Sequence, residues 1–371
     1  MEGDPTTMTE HLPPQTSAAV RLATADDLAD PAALAGVLGP VAELRRQPMA
    51  TGGHSVSTFE RVDVRLRSGE RAPLVLKRVR LALDWGARRT GDTTGREAAP
   101  LAEPALRGIW DAFRCPYRAY AFHDGEVGLL MDDLGPYLLP DDGARVDEAH
   151  EDALLAALAA LHARFWDAPA LNLPALVPPK RALAVFRPEA PDEEARQPAP
   201  HPIFEWVRQG WASSLRRLPA PLGELLSRPA APFARVAAGL PRTLRHANTR
   251  LDNFAFYPDG AVAAFDFAGL GTGPATLDIG VYVILNARRR ARTPDAVLAR
   301  YRTFLEAARG APFPEPLWTR LVSAGLLYGA AFLLWDRALD VEEGLPGAAD
   351  EWAWWVDRLS AISREVAATN P

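Results

Sequence analysis

The stretch that decides the fold is residues 244–254, LRHANTRLDNF, followed by a short apolar segment that ends in the triplet FDF around Asp266. His246 is followed two positions later by Asn248, and Asn253 comes five positions after that. The Asn253 amide and the Asp266 carboxylate supply the oxygen ligands that Mg²⁺ combines with phosphates and water. Asn-bearing loops also cap and turn the chain, so a simple turn is the alternative to a metal site.

The composition indicates a globular protein with room for two domains that share a cleft. The chain has 371 residues, of which 48% are hydrophobic and 24% are charged, and such a length exceeds that of a typical single domain. The formal net charge of −6 provides no basic field that would favour nucleic acid or an anionic membrane. We therefore expect neither as a partner.

Cysteine usage and the lack of targeting features point to the cytoplasm. Cys115 is the one cysteine, so no intrachain disulfide can form, which suits a reducing compartment. We find no run of about eighteen apolar residues that could span a bilayer. Residues 1–14 lack the apolar core of a secretion signal, and we expect residues 1–20 to be a flexible arm.

Hydrophobic periodicity divides the chain into a strand-rich first part and a helix-rich second part. Five segments before residue 133 predict strands: 41–47, 56–66, 74–79, 117–122 and 127–131. A helix is predicted over 93–113, kinked or divided by Pro100 and Pro104. From residue 147 the pattern is mostly helical, interrupted by a Pro-rich stretch at 168–202 that predicts a loop or an irregular insertion.

Two features of the first part suit phosphate binding. Gly52 and Gly53 lie between predicted strands, where their backbone amides could approach phosphate oxygens closely, although a hairpin turn is the alternative for such a pair. Lys77 lies in an apolar strand, so its ammonium extends either to solvent or into a cleft where it would grip phosphate. Glu97 favours the cleft as an ion-pair partner, and Glu103 is the competing partner.

These residues together resemble the aminoglycoside phosphotransferase family of small-molecule kinases, which is related to choline kinases and more distantly to protein kinases. The similarity covers about residues 41–339, and its specific part is HANTRLDN at 246–253 with the later FDF. It implies an α+β, two-lobed, protein-kinase-like fold. The strand-rich N-lobe at 21–133 would bind nucleotide, and the helix-rich C-lobe at 134–371 would carry the catalytic loop and the acceptor site.

The resemblance implies ATP and Mg²⁺ as cofactors and gives several residues a role in holding the nucleotide. Lys77 would contact the phosphates, and Glu97 would hold Lys77 in place. Gly52 and Gly53 would lie over the phosphates. The linker that contains Asp133 would offer backbone groups to the adenine edge, although a plain polar connector is the alternative there.

The same resemblance assigns the residues of the catalytic centre. Asn253 and Asp266 would bind Mg²⁺, while Asp278 would brace the catalytic loop. His246 and Asn248 stand at catalytic positions, and we expect His246 to orient the loop rather than to react. Asn248 occupies the position of the family's catalytic Asp, which accepts the proton of the attacking hydroxyl.

Three explanations of Asn248 remain open. The residue is an engineered Asp-to-Asn change that traps a substrate complex, or the enzyme works without that carboxylate, or the protein is a pseudokinase that binds a ligand without transfer. A general base contributes typically about 10²–10⁴-fold, whereas positioning and electrostatics contribute most of phosphoryl transfer. Asp252 is next to Asn253 on a tight loop, where it is a poor replacement base. Ala247 stands where the family usually has Gly, a smaller departure.

The resemblance implies a hydroxyl acceptor, either on a small molecule such as an aminoglycoside, a choline-like alcohol or a sugar, or on a Ser or Thr of a peptide. A cationic acceptor calls for an acidic cleft, for which the candidates are Asp340, Glu342, Glu343 and Asp350; a solvated linker explains them as well. The Pro-rich stretch and the tryptophans at 352, 354 and 355 add surface for a larger acceptor or a protein partner, with core packing as the alternative.

Overall fold

A computed structural model of the chain describes residues 19–50, 56–140 and 143–368. Gly52 and Gly53 lie outside the described residues, as do the first eighteen residues of the predicted arm. Val20, the last residue of that arm, pairs with Ala119 at one edge of a sheet.

The strands of the first part form a six-stranded sheet in the order β1-β5-β6-β4-β3-β2, antiparallel apart from the pairing of β1 with β5. The five strands expected from the sequence are all present, and β1 adds a short edge. Their bounds are β1 Val20–Arg21, β2 Val41–Met49, β3 Thr58–Leu66, β4 Arg71–Arg80, β5 Tyr117–His123 and β6 Glu126–Asp132.

The central strand β4 is buried on both faces, which explains its nearly continuous apolar sequence. Leu74 and Leu76 face a small core that helix α1, Pro31–Leu38, closes on the outside. Val75 and Val79 face the main core on the other side. Lys77 has the same orientation as Val75 and Val79, because side chains alternate along a strand. Its position therefore aims it inward, toward the second part of the chain.

The predicted helix at 93–113 is divided into short pieces, as expected from Pro100 and Pro104, and its α-helical pieces span only four residues each. Pro100 and Pro104 each lie in the first turn of a short helical piece, where the missing N–H of proline costs little. A short helix before this region, α2 Trp85–Thr90, escaped sequence analysis although Asp84 caps it. The pieces are a 3-10 turn at Arg96–Ala98, α3 Ala99–Ala102, a 3-10 turn at Pro104–Leu106 and α4 Ile109–Ala112.

The second part is rich in helix, so the α+β class with a strand-rich first part and a helix-rich second part is confirmed. Two short antiparallel strand pairs, β7 with β10 and β8 with β9, lie among the helices. The bounds are α5 Glu148–Arg164, α6 Pro179–Leu183, α7 Ala190–Glu194, α8 Ile203–Arg217, α9 Ala220–Ser227, α10 Ala230–Ala237, β7 Thr243–Arg245, β8 Phe254–Phe256, β9 Val262–Ala264, β10 Gly271–Gly273, α11 Thr276–Leu285, α12 Pro294–Arg309, α13 Glu315–Glu342 and α14 Ala348–Ala368.

Helix α13 is the central element of the second part. By length and composition it could cross a membrane, which corrects the expectation that no segment would qualify, but 72% of its most apolar window is buried inside the protein. It crosses α11 at three glycines. A Cβ atom on Gly280 would lie 2.0 Å from the carbonyl oxygen of Gly325, and one on Gly329 would lie 2.6 Å from that of Gly280. The two backbones therefore touch directly.

The Pro-rich stretch at 168–202 is not a free loop. It contains α6 and α7, and it is fastened to the first part by arginines of α2. Arg88 binds Glu194 at 2.7 Å, and Arg89 binds Glu193 at 3.0 Å and the carbonyl of Val185 at 2.8 Å. The insertion therefore bridges the two parts of the chain.

Candidate active site

An ion triad joins the sheet to the second part of the chain. The Lys77 ammonium lies 2.6 Å from Glu97 Oε1 and 2.7 Å from Asp266 Oδ1. Lys77 and Glu97 are buried, and Asp266 keeps 27% of its side chain exposed. The structure thus pairs Lys77 with Glu97 rather than with Glu103, and it places the pair against a residue 189 positions away in the sequence.

One cation serves two carboxylates in this triad, and their pKa values separate accordingly. Burial alone would lower the pKa of Lys77, but the charges of Asp266 and Glu97 raise it above its usual value. Burial would raise the pKa of Asp266, yet the Lys77 charge holds it below its usual range. Glu97 is left less compensated, so burial raises its pKa to about 7.

The local backbone presents Asp266 to the cleft. Asp266 has a left-handed conformation with φ of 61°, which Asp tolerates better than most residues. The turn is fixed from below by Phe267, which is fully buried and packs against the rings of His246 and Trp110. The apolar residues of the FDF triplet therefore anchor a strained turn whose middle carboxylate remains partly exposed.

The loop at 246–253 places Asn248 against the Asp266 carboxylate and Asn253 against the backbone of Asn248. Asn248 Nδ2 donates to Asp266 Oδ2 at 2.6 Å. Asn253 Nδ2 donates to the backbone oxygen of Asn248 at 2.9 Å. The structure thus brings together Lys77, Glu97, Asp266, Asn248 and Asn253 at one site.

His246 orients the loop, and its ring is committed at both nitrogens. Nε2 lies 3.0 Å from the carbonyl oxygen of Phe265, so it carries the proton, and Nδ1 accepts from the backbone N–H of Asn248 at 3.3 Å. The ring is buried, and burial lowers the pKa of His246. A neutral imidazole with both nitrogens bonded has no free position for a substrate proton.

Asp278 holds the loop from α11. One carboxylate oxygen accepts from the backbone N–H of His246 at 2.8 Å and the other from that of Ala247 at 3.0 Å. Ala247 has φ of 64°, the left-handed region, which explains why Gly suits this position better. Burial would raise the pKa of Asp278, but the hydrogen bond from His162 and the charge of Arg245 lower it.

Several loop supports escaped sequence analysis. Asn286 accepts from the Leu251 N–H at 3.0 Å and donates to the Thr249 carbonyl at 2.9 Å. His162, which sequence analysis left as a core or cleft-wall histidine, connects Asp278 at 3.2 Å to the Tyr301 hydroxyl at 2.6 Å. A signal was present for Asn286: residues 278, 282 and 286 are polar at four-residue spacing in an otherwise apolar helix.

Two further acidic residues lie away from the reacting position. Asp133 in the linker bonds to its own surroundings, with the Gly135 N–H donating to it at 3.0 Å and Arg61 pairing with it at 3.2 Å. Its backbone N–H donates to Pro73. Asp252 pairs with Arg289 and Arg250. Its carboxylate is therefore engaged by arginines and does not replace the missing base.

Two of the acidic residues proposed for a cationic acceptor form ion pairs with arginines of the chain itself. Asp340 pairs with Arg337 at 2.6 Å and Glu342 with Arg216 at 3.2 Å. Of the tryptophans near the C-terminus, Trp355 is fully buried and therefore packs in the core. Asp340 and Glu342 are therefore partly neutralised by arginines of the chain itself.

The residues present suit Mg²⁺ by type. Asp266 offers a carboxylate and Asn253 an amide oxygen that makes no hydrogen bond in the described structure, and Mg²⁺ uses few protein ligands when phosphates supply the rest. Within the described residues no group of three or more His, Cys, Asp or Glu side chains forms a metal cage. A metal here would have Asp266 and Asn253 as its two protein ligands, with water or phosphate oxygens completing its shell.

Solved structures of kinases are similar to this chain over most of its length. A choline kinase from Streptococcus pneumoniae is 12% identical, with 88% of this chain and 96% of that chain covered and a TM-score of 0.43. A further structure of that choline kinase is a complex with AMP. An ethanolamine kinase from Plasmodium vivax is 13% identical, with 90% and 88% covered and a TM-score of 0.48.

An aminoglycoside phosphotransferase from Alicyclobacillus acidocaldarius is 14% identical, with 88% of this chain and 92% of that chain covered and a TM-score of 0.45. No protein-family model and no curated protein sequence matches the chain. Solved structures similar to this chain include choline and ethanolamine kinases and an aminoglycoside phosphotransferase, the groups that its loop sequence resembles.

Proposed function

We propose that the chain binds a nucleoside triphosphate, ATP by preference, and is built for phosphoryl transfer to a hydroxyl, with transfer impaired at Asn248. The observation that carries the proposal is the contact of Lys77 with Glu97 and Asp266 beside Asn248 and Asn253. The buried ammonium contacts two acids, and one of them, Asp266, is partly exposed. This arrangement suits a polyphosphate better than it suits packing, because a buried ion pair adds little to stability.

In this proposal the chain's own residues position the phosphates. Lys77 supplies a fixed point charge, and Glu97 keeps its ammonium from swinging to solvent. Asn253 and Asp266 are the residues that would hold Mg²⁺, and a bound Mg²⁺ would neutralise charge on the phosphate oxygens. The loop amides fixed by Asp278 and Asn286 keep Asn248 and Asn253 in register with Asp266.

Asn248 sets the limit on transfer. An amide nitrogen has no basic lone pair, so it orients an attacking hydroxyl without removing its proton. The second candidate function is a pseudokinase that binds nucleotide or a partner without transfer. The hydrogen bond from Asn248 to Asp266 favours this candidate, because the Asn248 side chain then binds Asp266 instead of an acceptor hydroxyl.

Nucleotide binding is tested by calorimetry with ATP and Mg²⁺ on the full chain. We expect saturable binding, and Lys77→Ala should abolish it. An exposed lysine away from the cleft, Lys180→Ala, is the matched control and should bind as the parent does. No heat and no thermal shift at saturating nucleotide would contradict the proposal and indicate a repurposed fold.

The role of Asn248 is tested by restoring the carboxylate. Asn248→Asp should raise phosphoryl transfer by about 10² or more, the usual contribution of a general base. Equal and measurable rates in the two proteins would show that residue 248 is not limiting. Nucleotide binding without transfer by either protein, once an acceptor is known, would select the pseudokinase.

For the acceptor we propose a hydroxyl on a small molecule or on a peptide Ser or Thr, with a slight preference for the larger acceptor or a protein partner. The docked insertion at 168–202 supports this preference because it adds fixed surface beside α2. A pull-down from the native host, with mass spectrometry of proteins and metabolites, is the test. Recovery of a free small alcohol or aminoglycoside alone would reject the larger acceptor.

A further inference from the structure

The side chain of Asn248 is bonded to the carboxylate that Mg²⁺ would need. Its Nδ2 lies 2.6 Å from Asp266 Oδ2, while the Lys77 ammonium lies 2.7 Å from Oδ1. Each oxygen of Asp266 therefore already has a donor from the chain itself. The orientation of the amide follows from chemistry, because its oxygen would repel a carboxylate oxygen at the same distance.

Asn248 is also fixed by its backbone. Its N–H donates to His246 Nδ1 at 3.3 Å, and its carbonyl oxygen accepts from Asn253 at 2.9 Å. The side chain is therefore preorganised toward Asp266 and loses little freedom in making the bond. The same contacts tie Asn253, the second candidate ligand, to the arrangement.

An Asp at position 248 would behave differently with the same shape. It would place an oxygen where the amide nitrogen lies, so three carboxylates would share the single Lys77 cation, which already serves Asp266 and Glu97. An Asp therefore makes the site require a cation. The Asn instead satisfies Asp266 within the chain, through a charge-assisted hydrogen bond.

We propose that Asn248 is a latch on Asp266, whose amide competes with Mg²⁺ for this carboxylate, so that the chain binds nucleotide with little dependence on Mg²⁺. The inference rests on the proposed nucleotide site. A hydrogen bond to a charged group is strong enough to change the apparent Mg²⁺ affinity about tenfold to a hundredfold.

Thermal melting of four full-length proteins tests the latch without any activity measurement. The proteins are the parent, Asn248→Asp, Asn248→Ala and Asp266→Asn, each melted in EDTA and across a Mg²⁺ titration. In EDTA, Asn248→Asp should melt below the parent, because its two carboxylates repel, and Mg²⁺ should restore it. Asn248→Ala removes the amide without adding charge, so its midpoint for Mg²⁺ should fall about tenfold or more below that of the parent. Asp266→Asn should not respond.

The alanine variant separates the latch from simple electrostatics. Equal Mg²⁺ midpoints in the parent and Asn248→Ala would overturn the proposal, because the amide would then not compete. A flat response in all four proteins would overturn it as well, since there would be no metal site to guard.

ATP titrations in EDTA and in Mg²⁺ complete the test. We expect the parent to bind ATP within about threefold of the same affinity in both, and Asn248→Asp to bind at least about tenfold better with Mg²⁺. A tenfold Mg²⁺ requirement in the parent would overturn the latch. Failure of every variant to bind ATP would reject the nucleotide site, while the Mg²⁺ melting series would still decide the latch.

Discussion

Of the three residues in the triad, Glu97 is the one whose ionisation changes near neutral pH. Its pKa is raised by burial to about 7 from an ordinary 4.5, because Lys77 also serves Asp266. An acid with a raised folded-state pKa stabilises the protein most below its unfolded pKa, and that contribution is lost as pH rises through about 7. The charge balance of the triad therefore changes close to neutral pH.

Glu97→Gln should remove this pH dependence. We expect the melting temperature of the variant, relative to the parent, to increase between about pH 5 and pH 7 and to level off above pH 7. Melting curves of both proteins at half-unit pH steps give the comparison. Parallel profiles across this range would show that Glu97 titrates at its ordinary pKa.

Ala247 carries backbone strain in the catalytic loop. Its φ of 64° costs an L-residue about 1–2 kcal/mol, and glycine recovers part of this after its larger unfolded-state entropy is counted. Ala247→Gly should therefore raise the free energy of unfolding by up to about 1 kcal/mol. Ala299→Gly, at an exposed position within α12, is the control and should lower it by about 1 kcal/mol. A loss at both positions in urea denaturation would rule out the strain.

Among the elements, the contact of α11 with α13 depends on glycine. Gly280→Ala would place a methyl group 2.0 Å from the carbonyl oxygen of Gly325, which only a separation of the two helices can relieve. We expect a loss of about 3 kcal/mol or more. Because α11 carries Asp278 and is followed directly by Asn286, the loop at 246–253 that these residues hold should loosen with it.

Gly36→Ala is the matched control for that substitution. Gly36 lies on an exposed turn of α1, and a Cβ atom there would meet no atom within 4 Å. The change should stabilise the protein by about 0.5–1 kcal/mol. Chemical denaturation of the two variants separates them by sign, and similar small effects in both would show that α11 and α13 can part without cost.

Elements with a regular period were predictable from the sequence, and those set by distant partners were not. The strands around Lys77 follow local alternation, so the sequence predicted them well. The prolines predicted the division of 93–113, but the placement of Glu97 against Lys77 depends on the fold, and no local pattern states it. The loop motif likewise gave the positions of Asn248 and Asn253, but the bond from Asn248 to Asp266 depends on the fold of the intervening strands.

At the scale of the whole molecule, Lys77 is the charge that joins the sheet to the second part. Lys77→Met would leave two carboxylates without their cation, and breaking a buried pair in this way costs about 3–5 kcal/mol. The double variant Lys77→Met/Glu97→Leu removes the most buried of these acids as well. It should regain a large part of the loss, because an apolar pair can replace a buried ion pair.

Urea denaturation of the parent and both variants measures this coupling. A double variant no more stable than Lys77→Met would show that the loss comes from packing and not from the uncompensated Glu97. The double variant should bind no nucleotide although much of its stability returns, which separates the effect of Lys77 on the site from its effect on the fold.

The insertion at 168–202 has a consequence for motion. Val177 donates to the carbonyl of Leu270 at 3.0 Å and accepts from the N–H of Thr272 at 3.0 Å, so it is stitched to the backbone that leaves the Asp266 turn. Arg96 binds the Ala268 carbonyl at 3.0 Å and the Ala175 carbonyl at 2.6 Å from the other side. In hydrogen–deuterium exchange, the amides of Val177 and Thr272 should open together and slowly. Fast, independent exchange at Val177 would show that the insertion moves as a lid. Slow, joint exchange would show that the insertion restrains the backbone after Asp266 and prevents this segment from moving.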